Sequence, residues 1–206
     1  ILFDAGDTLN RPASGNWFVP VGYMKYFQDE LGGNTSASVQ QAFQIAYAYL
    51  NEHHYAETEE EEYAQFVEFY RIFLTEYGYS HITEELLATL AHHMVYDDEK
   101  FVFFEDTLTM IPKLAERFTL GIISNTWPSL DRVIRNQQLR HYFASFVMSS
   151  VLGVYKPHVK MYTTALEELQ LAPEETLFVD DSIENLEGAA RLGMQAVLID
   201  RYTRHG

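Results

Sequence analysis

Five short apolar runs, at 1–4, 119–124, 146–149, 176–180 and 196–199, set the strongest limit on what this chain can fold into. Each is a nearly continuous stretch of Val, Ile, Leu, Phe and similar residues, not an alternation of apolar and polar ones. Alternation marks a strand wetted on one face; a continuous run marks a strand covered on both, as in a parallel sheet between helix layers. Helical spacing fills three of the gaps. Leu130, Val133, Ile134 and Leu139 lie between the second and third runs, and Tyr162, Leu166 and Leu169 between the third and fourth. Leu186, Ala190 and Leu192 lead to the fifth, with Gly193 as a helix stop. Strand–helix repetition of this kind predicts an α/β fold: a doubly wound, five-stranded parallel sheet built from βαβ units.

The stretch 14–105 has another texture. Val39, Phe43, Tyr47 and Leu50 recur at helical spacing, as do Tyr63, Phe66, Val67, Tyr70, Leu74 and Tyr77, and then Leu87, Leu90 and Met94. No strand is expected there. The expectation is an all-helical cap at 14–105 inserted into a core made of 1–13 and 106–206, which a chain of 206 residues is long enough to support. The run Glu59-Glu60-Glu61-Glu62 reads as a solvated helix start, not a metal site. His53-His54 and His92-His93 are adjacent pairs, which point different ways on a helix, and read as structural or surface residues.

Fourteen Lys and Arg against thirty Asp and Glu leave a net charge of −16. Such a surface repels nucleic-acid backbones and anionic lipid, so neither is expected as a partner, and an anionic substrate needs a local positive centre. Cysteine is absent, which removes disulfides and thiolate chemistry. There is no apolar run of membrane-spanning length and no basic-then-apolar leader, and the expectation is a soluble, cytoplasmic protein. The chain opens on Ile1, already inside a strand pattern, so the first strand is expected to be clipped. Nothing in the sequence speaks to oligomeric state.

Four pieces stand at the carboxyl ends of predicted strands, where open α/β sheets place their sites. They are Phe3-Asp4-Ala5-Gly6-Asp7-Thr8-Leu9, Ile122-Ile123-Ser124-Asn125-Thr126, Lys156-Pro157, and Phe178-Val179-Asp180-Asp181-Ser182-Ile183-Glu184-Asn185. Singly, each has a plain structural explanation. Asp4 suits a helix cap or turn, Ser124-Asn125 likewise, and Lys156-Pro157 suits the surface. The adjacent acids Asp180 and Asp181 are less ordinary, because like charges repel unless something neutralises them; a metal there stands level with a structural role.

In this order, with a helical insertion between the first and second, the four pieces resemble the haloacid dehalogenase superfamily, in its branch with a helical cap between motifs one and two. The resemblance covers 1–13 and about 106–206. It implies a hydrolase in which Asp4 is the nucleophile that carries the phosphoryl group. Ser124 would hydrogen-bond the phosphoryl oxygens, helped by the backbone amide of Asn125, and Lys156 would neutralise nucleophile and phosphate. Mg²⁺ would be held by Asp4, the backbone carbonyl of Gly6, Asp181, and Asp180 beside it through water. The implied partner is a small phosphorylated metabolite. The physics agrees: a carboxylate meets a phosphate dianion only where cations cancel several kcal/mol of repulsion in a low-dielectric site. Cap residues near the hinge, namely Trp17, Tyr23, Lys25 and Tyr26, are candidates for choosing the substrate.

One position departs from the family pattern. The first motif normally carries a second Asp two residues after the nucleophile, which protonates the leaving group and later activates water. Here that position is Gly6, and the next acid is Asp7. Dehalogenases also lack the second Asp, which keeps a metal-independent 2-haloacid dehalogenase as the alternative. They have non-acidic residues where this chain has Asp180 and Asp181, so the acids favour a metal and hence phosphate. A catalytically silent binding protein is a third possibility, opposed by the intact Asp4, Ser124, Lys156 and Asp181.

Overall fold

A computed structural model describes residues 1–23 and 37–202. Lys25 and Tyr26, among the expected substrate-facing residues, lie outside the described residues. The main sheet has five strands: β1 (Leu2–Phe3), β4 (Leu120–Ser124), β5 (Phe143–Met148), β6 (Leu177–Asp180) and β7 (Gln195–Leu198). Their spatial order is β5-β4-β1-β6-β7, and every pairing is parallel. The first strand therefore occupies the centre, with Leu2 level with Gly121 on one side and Phe178 on the other. The chain runs outward from β1 in both directions, which puts a topological switch point at the end of β1, where Asp4 follows.

Helices α4 (Glu105–Ala115), α5 (Ser129–Asn136), α6 (Ser149–Leu152), α7 (Val159–Leu169) and α8 (Ile183–Ala190) link the strands. One face of the sheet buries Leu2, Ile123, Val147 and Phe178 against Met161, Tyr162, Ala165 and Leu186. Removing that apolar surface from water is the main force holding helix to sheet. Two glycines permit the close approach. A Cβ at Gly121 would lie 2.7 Å from Leu2 Cδ2, and one at Gly188 would lie 2.7 Å from Pro157 Cβ and 2.8 Å from the Tyr162 hydroxyl. The second contact brings α8, and with it the acids before it, against the loop that bears Lys156.

By mutual contacts the chain divides into two compact units, 1–11 with 102–206, and 12–101. The second contains α1 (Ala37–Glu52), α2 (Glu59–Tyr77) and α3 (Glu84–Tyr96). Thr58 caps α2 through a reciprocal pair: its hydroxyl accepts from Glu61 N–H, and the Glu61 carboxylate accepts from Thr58 N–H. Acids in a first turn also suit the helix dipole. The four-glutamate run is nevertheless not solvated throughout. Glu62 is buried, with Lys100 Nζ 3.8 Å away. The reason is geometric, since Glu62 lies on the same helical stripe as Phe66, Phe69 and Phe73, all buried. Lys100 is buried too and donates to the carbonyls of Met94 and Val95 at the end of α3. Of the histidine pairs, His54 is buried and His53 exposed.

Two further expectations need correcting. The stretch expected to be free of strands ends in one: β3 (Phe101–Phe103) pairs with β2 (Asn10–Pro12) in a separate two-stranded sheet. These are the two places where the chain passes from one unit to the other. The third strand of the main sheet also begins at Phe143, earlier than its apolar run, and ends at Met148, Ser149 already being helical. None of the helices among the described residues is long and apolar enough to cross a membrane.

Candidate active site

Asp4 follows β1 directly and is anchored by its own N–H, which donates to Val179 O at 2.9 Å. Its carboxylate is buried, and Lys156 Nζ donates to Oδ1 at 2.6 Å. The same ammonium donates to Asp180 Oδ2 at 2.7 Å, so one lysine bridges the ends of two neighbouring strands, β1 and β6. Burial pushes the Asp4 carboxyl above its ordinary range; Lys156 works against that shift and Asp180 adds to it. Asp181 is exposed, and partial burial followed by the charges of Asp4 and Asp180 pushes its carboxyl up to about 6. Asp4, Asp180 and Asp181 each offer an oxygen within 4.8 Å of the other two.

Three carboxylates facing one ammonium leave negative charge uncompensated. All the donors are hard oxygens, with no His or Cys in the group, and such a set fits Mg²⁺ better than zinc. The sequence-expected residues thus divide in two. Asp4, Lys156, Asp180 and Asp181 converge through side chains. Ser124 is buried at the carboxyl end of β4, two residues past Ile122, the partner of Phe3 across the ladder. Gly6 forms a backbone bridge with Asn10, which closes the loop after β1.

Asn125 does something the sequence did not suggest. Its side-chain Oδ1 accepts from Lys156 N–H at 2.8 Å, so it holds the backbone of the residue whose ammonium reaches Asp4. Ser149, buried at the start of α6, clamps the same loop: Thr126 N–H donates to its Oγ at 2.9 Å. Asn185 donates to both oxygens of Asp180 at 3.1 Å. Asp7 lies in the left-handed region, φ 52°, and receives a hydrogen bond from the Tyr202 hydroxyl. That bond to Asp7 pushes the Tyr202 phenol up to about 12. Beside it Arg201 donates twice to Thr8 O and once to Asp106, tying the end of the described chain to the same loop. The sequence singled out Asn125 for its backbone amide alone, and the side-chain contacts of Asn125, Ser149, Asn185 and Tyr202 come together only in the fold.

The family model for haloacid dehalogenase-like hydrolases matches residues 33–199. A glyceraldehyde 3-phosphate phosphatase from Methanopyrus kandleri is 31% identical over 118 residues, which are 52% of this chain and 49% of that protein. The match thus spans about half the length of that curated relative. Among solved structures, the L-2-haloacid dehalogenase of Xanthobacter autotrophicus superposes with a TM-score of 0.69 at 22% identity, covering 98% of this chain and 78% of that one. A mutant HAD-family enzyme of Bacteroides thetaiotaomicron, in complex with magnesium and inorganic phosphate, superposes with a TM-score of 0.66 at 17% identity, covering 100% and 95%. At those identities the two structures speak to fold alone. Because the family model runs through most of the chain and into every strand of the main sheet after the first, this protein is an enzyme of the haloacid dehalogenase-like hydrolase family.

Proposed function

We propose that this chain is a Mg²⁺-dependent phosphatase that hydrolyses the monoester of a small phosphorylated metabolite through an aspartyl-phosphate at Asp4. The observation that carries the proposal is the buried Asp4 carboxylate held 2.6 Å from Lys156 Nζ, with two further acids close by. The phosphatase name of the Methanopyrus kandleri relative supports it.

An Asp4 oxygen attacks phosphorus and the bond from phosphorus to the ester oxygen breaks with its electron pair on that oxygen, which leaves as the anion where it is a weak base and otherwise takes a proton from water. Water then attacks the phosphorus of the aspartyl-phosphate, releasing inorganic phosphate and restoring the carboxylate. Lys156, already beside Asp4, neutralises charge gathering on the phosphoryl oxygens, and the Ser124 hydroxyl donates to one of them. Asp4, the Gly6 carbonyl and Asp181, with Asp180 beside them, are the residues that would hold Mg²⁺. Bound there, the ion would supply positive charge that offsets the repulsion between the carboxylate and the phosphate. Residues 1–13 and 106–206 act as the catalytic core in this account, and 14–105 as a cap that selects the substrate.

The expected result is release of phosphate from p-nitrophenyl phosphate in Mg²⁺, abolished by excess chelator and lowered by several orders of magnitude in Asp4→Asn. One observation favours a second reading. Gly6 carries no carboxylate, and halide needs no proton to leave. Release of chloride from 2-chloropropionate in the presence of chelator, with no phosphatase activity in Mg²⁺, would establish a dehalogenase instead.

A further inference from the structure

Both carboxylate oxygens of Asp180 are engaged. Its Oδ1 accepts from Ser182 N–H at 2.7 Å and from Asn185 Nδ2 at 3.1 Å. Its Oδ2 accepts from Lys156 Nζ at 2.7 Å and from the same Asn185 nitrogen at 3.1 Å. A carboxylate has about four lone-pair sites, and Ser182, Lys156 and the shared Asn185 amide occupy most of them. The side chain is completely buried, whereas Asp181 beside it is exposed.

Asn185 is itself well fixed. It is the third residue of α8, and its carbonyl accepts from the Tyr162 hydroxyl at 2.8 Å. The Tyr162 ring is buried edge-on against Phe178 of β6 at 5.6 Å between centroids. The helix that carries Asn185 is thereby locked to the strand that carries Asp180.

We infer that Asn185 is a positioning residue: by holding both oxygens of Asp180 it fixes the ammonium of Lys156 against Asp4, and Asp180 so engaged serves as the lysine's anchor while Asp181 is left to meet the metal. The inference rests on the proposed role of Lys156 toward a phosphoryl group. A lysine on a flexible four-carbon stem is a movable point charge, and a charge must be in place before the reaction to stabilise its transition state. Two asparagines provide that placement, Asn125 through the backbone of Lys156 and Asn185 through its counter-ion.

The test compares parent, Asn185→Ala and Asp181→Asn by turnover of p-nitrophenyl phosphate in saturating Mg²⁺ and by calorimetric titration with Mg²⁺ alone. Asn185→Ala is expected to lose roughly 10–100-fold in kcat, while its Kd for Mg²⁺ stays within about threefold of the parent's. Asp181→Asn is expected to lose Mg²⁺ binding. A second variant guards against misfolding. Asn185→Leu has a similar volume, adds no charge and removes both donations to Asp180, so kcat should fall as far while a cooperative melting transition shows that the protein folds. Parent-like kcat in Asn185→Ala overturns the inference, and so does a loss of Mg²⁺ affinity matching that of Asp181→Asn. A parent that hydrolyses no phosphate ester overturns the proposed function alone. Affinity for inorganic phosphate then decides: about tenfold weaker in Asn185→Ala sustains the inference, and unchanged affinity overturns it.

Discussion

Gly6 is where the chemistry of single residues makes its sharpest claim. Among the described residues, positive φ occurs at Gly15, Gly22, Gly78, Gly153 and Gly193, and at Asp7, Gln138 and Gln170, but not at Gly6. Glycine is therefore not required there by backbone conformation, and a Cβ meets no conformational penalty. What the position lacks is a carboxylate. An alkoxide has a pKa far above neutrality and must gain a proton as it departs, whereas nitrophenolate leaves unaided, and general acid help is worth roughly 10²–10⁴ in rate. Asp7 is turned into the left-handed region with its carboxylate engaged by Tyr202. The parent is accordingly expected to hydrolyse aryl phosphates roughly 10²-fold or more better than alkyl phosphates, measured as kcat/KM. Gly6→Asp should narrow the gap by raising the alkyl rate alone. Asp7→Asn keeps the conformation, since Asn tolerates positive φ, and should leave both rates within a few-fold of the parent. Equal parent rates on the two esters would mean that a proton comes from elsewhere and that the account of this loop is wrong.

Among elements, α8 and the loop at Pro157 depend on each other through Gly188. A methyl there would press on Pro157 Cβ and the Tyr162 hydroxyl, both under 3 Å away. Gly188→Ala is expected to cost about 1–3 kcal/mol, the usual range for overpacking, read as a lower urea midpoint with unchanged slope. Because Lys156 precedes Pro157, kcat should fall as well. Unaltered stability and rate would show the helix free to shift. The same scale explains how much could be read in advance. β1, β4 and β6 are covered on both faces, so they write continuous apolar runs, and the residues that close them, Asp4, Ser124 and Asp180, could be named from the sequence. The burial of β5 alternates from Phe143, and Ala144 and Ser145 interrupt its large apolar residues, which is why only its last residues stood out. β3 is three residues long, too short for any period to show. The holds by Asn125 and Asn185 escaped for another reason. The Asn125 oxygen meets a backbone N–H thirty-one residues away, and no residue pattern encodes which main-chain group the fold will deliver. Glu62 was legible in principle, because the stripe of Phe66, Phe69 and Phe73 extends back to it.

At the scale of the whole molecule, a chain of net charge −16 gathers Asp4, Asp180 and Asp181 around one lysine, an arrangement that favours binding a cation over stability. The cost is readable as a dependence on pH. Asp181 is pushed up to about 6 from its ordinary 3.8, so the folded state holds this proton more tightly than the unfolded chain does. Its contribution to stability is full below 3.8 and is lost as pH rises through about 6. His54 acts in the opposite sense: burial pushes its imidazole down to about 4, so its contribution is full above 6.5 and is lost as pH falls through about 4. The two windows overlap, and the parent's pH profile alone mixes them. Asp181→Asn separates them because it leaves His54 untouched. In chelator at about pH 7.5 the variant should be the more stable by on the order of 1 kcal/mol, a figure reduced from the full shift because Asp181 is exposed and screened. For a chain of this size that is a Tm about 2–4 °C higher, and the gap should close toward pH 4, where the unfolded chain's carboxyl is itself about half protonated. Saturating Mg²⁺ should then invert the order, since a ligand at a hundred times its Kd adds about 2.7 kcal/mol to a parent that binds it and nothing to a variant that does not. Melting curves of both proteins, with chelator and with Mg²⁺ at the two pH values, carry the whole comparison. If Asp181→Asn melts at or below the parent in chelator near neutrality, the three acids are not held against one another at a cost, and the electrostatic case for a cation at this site falls with them.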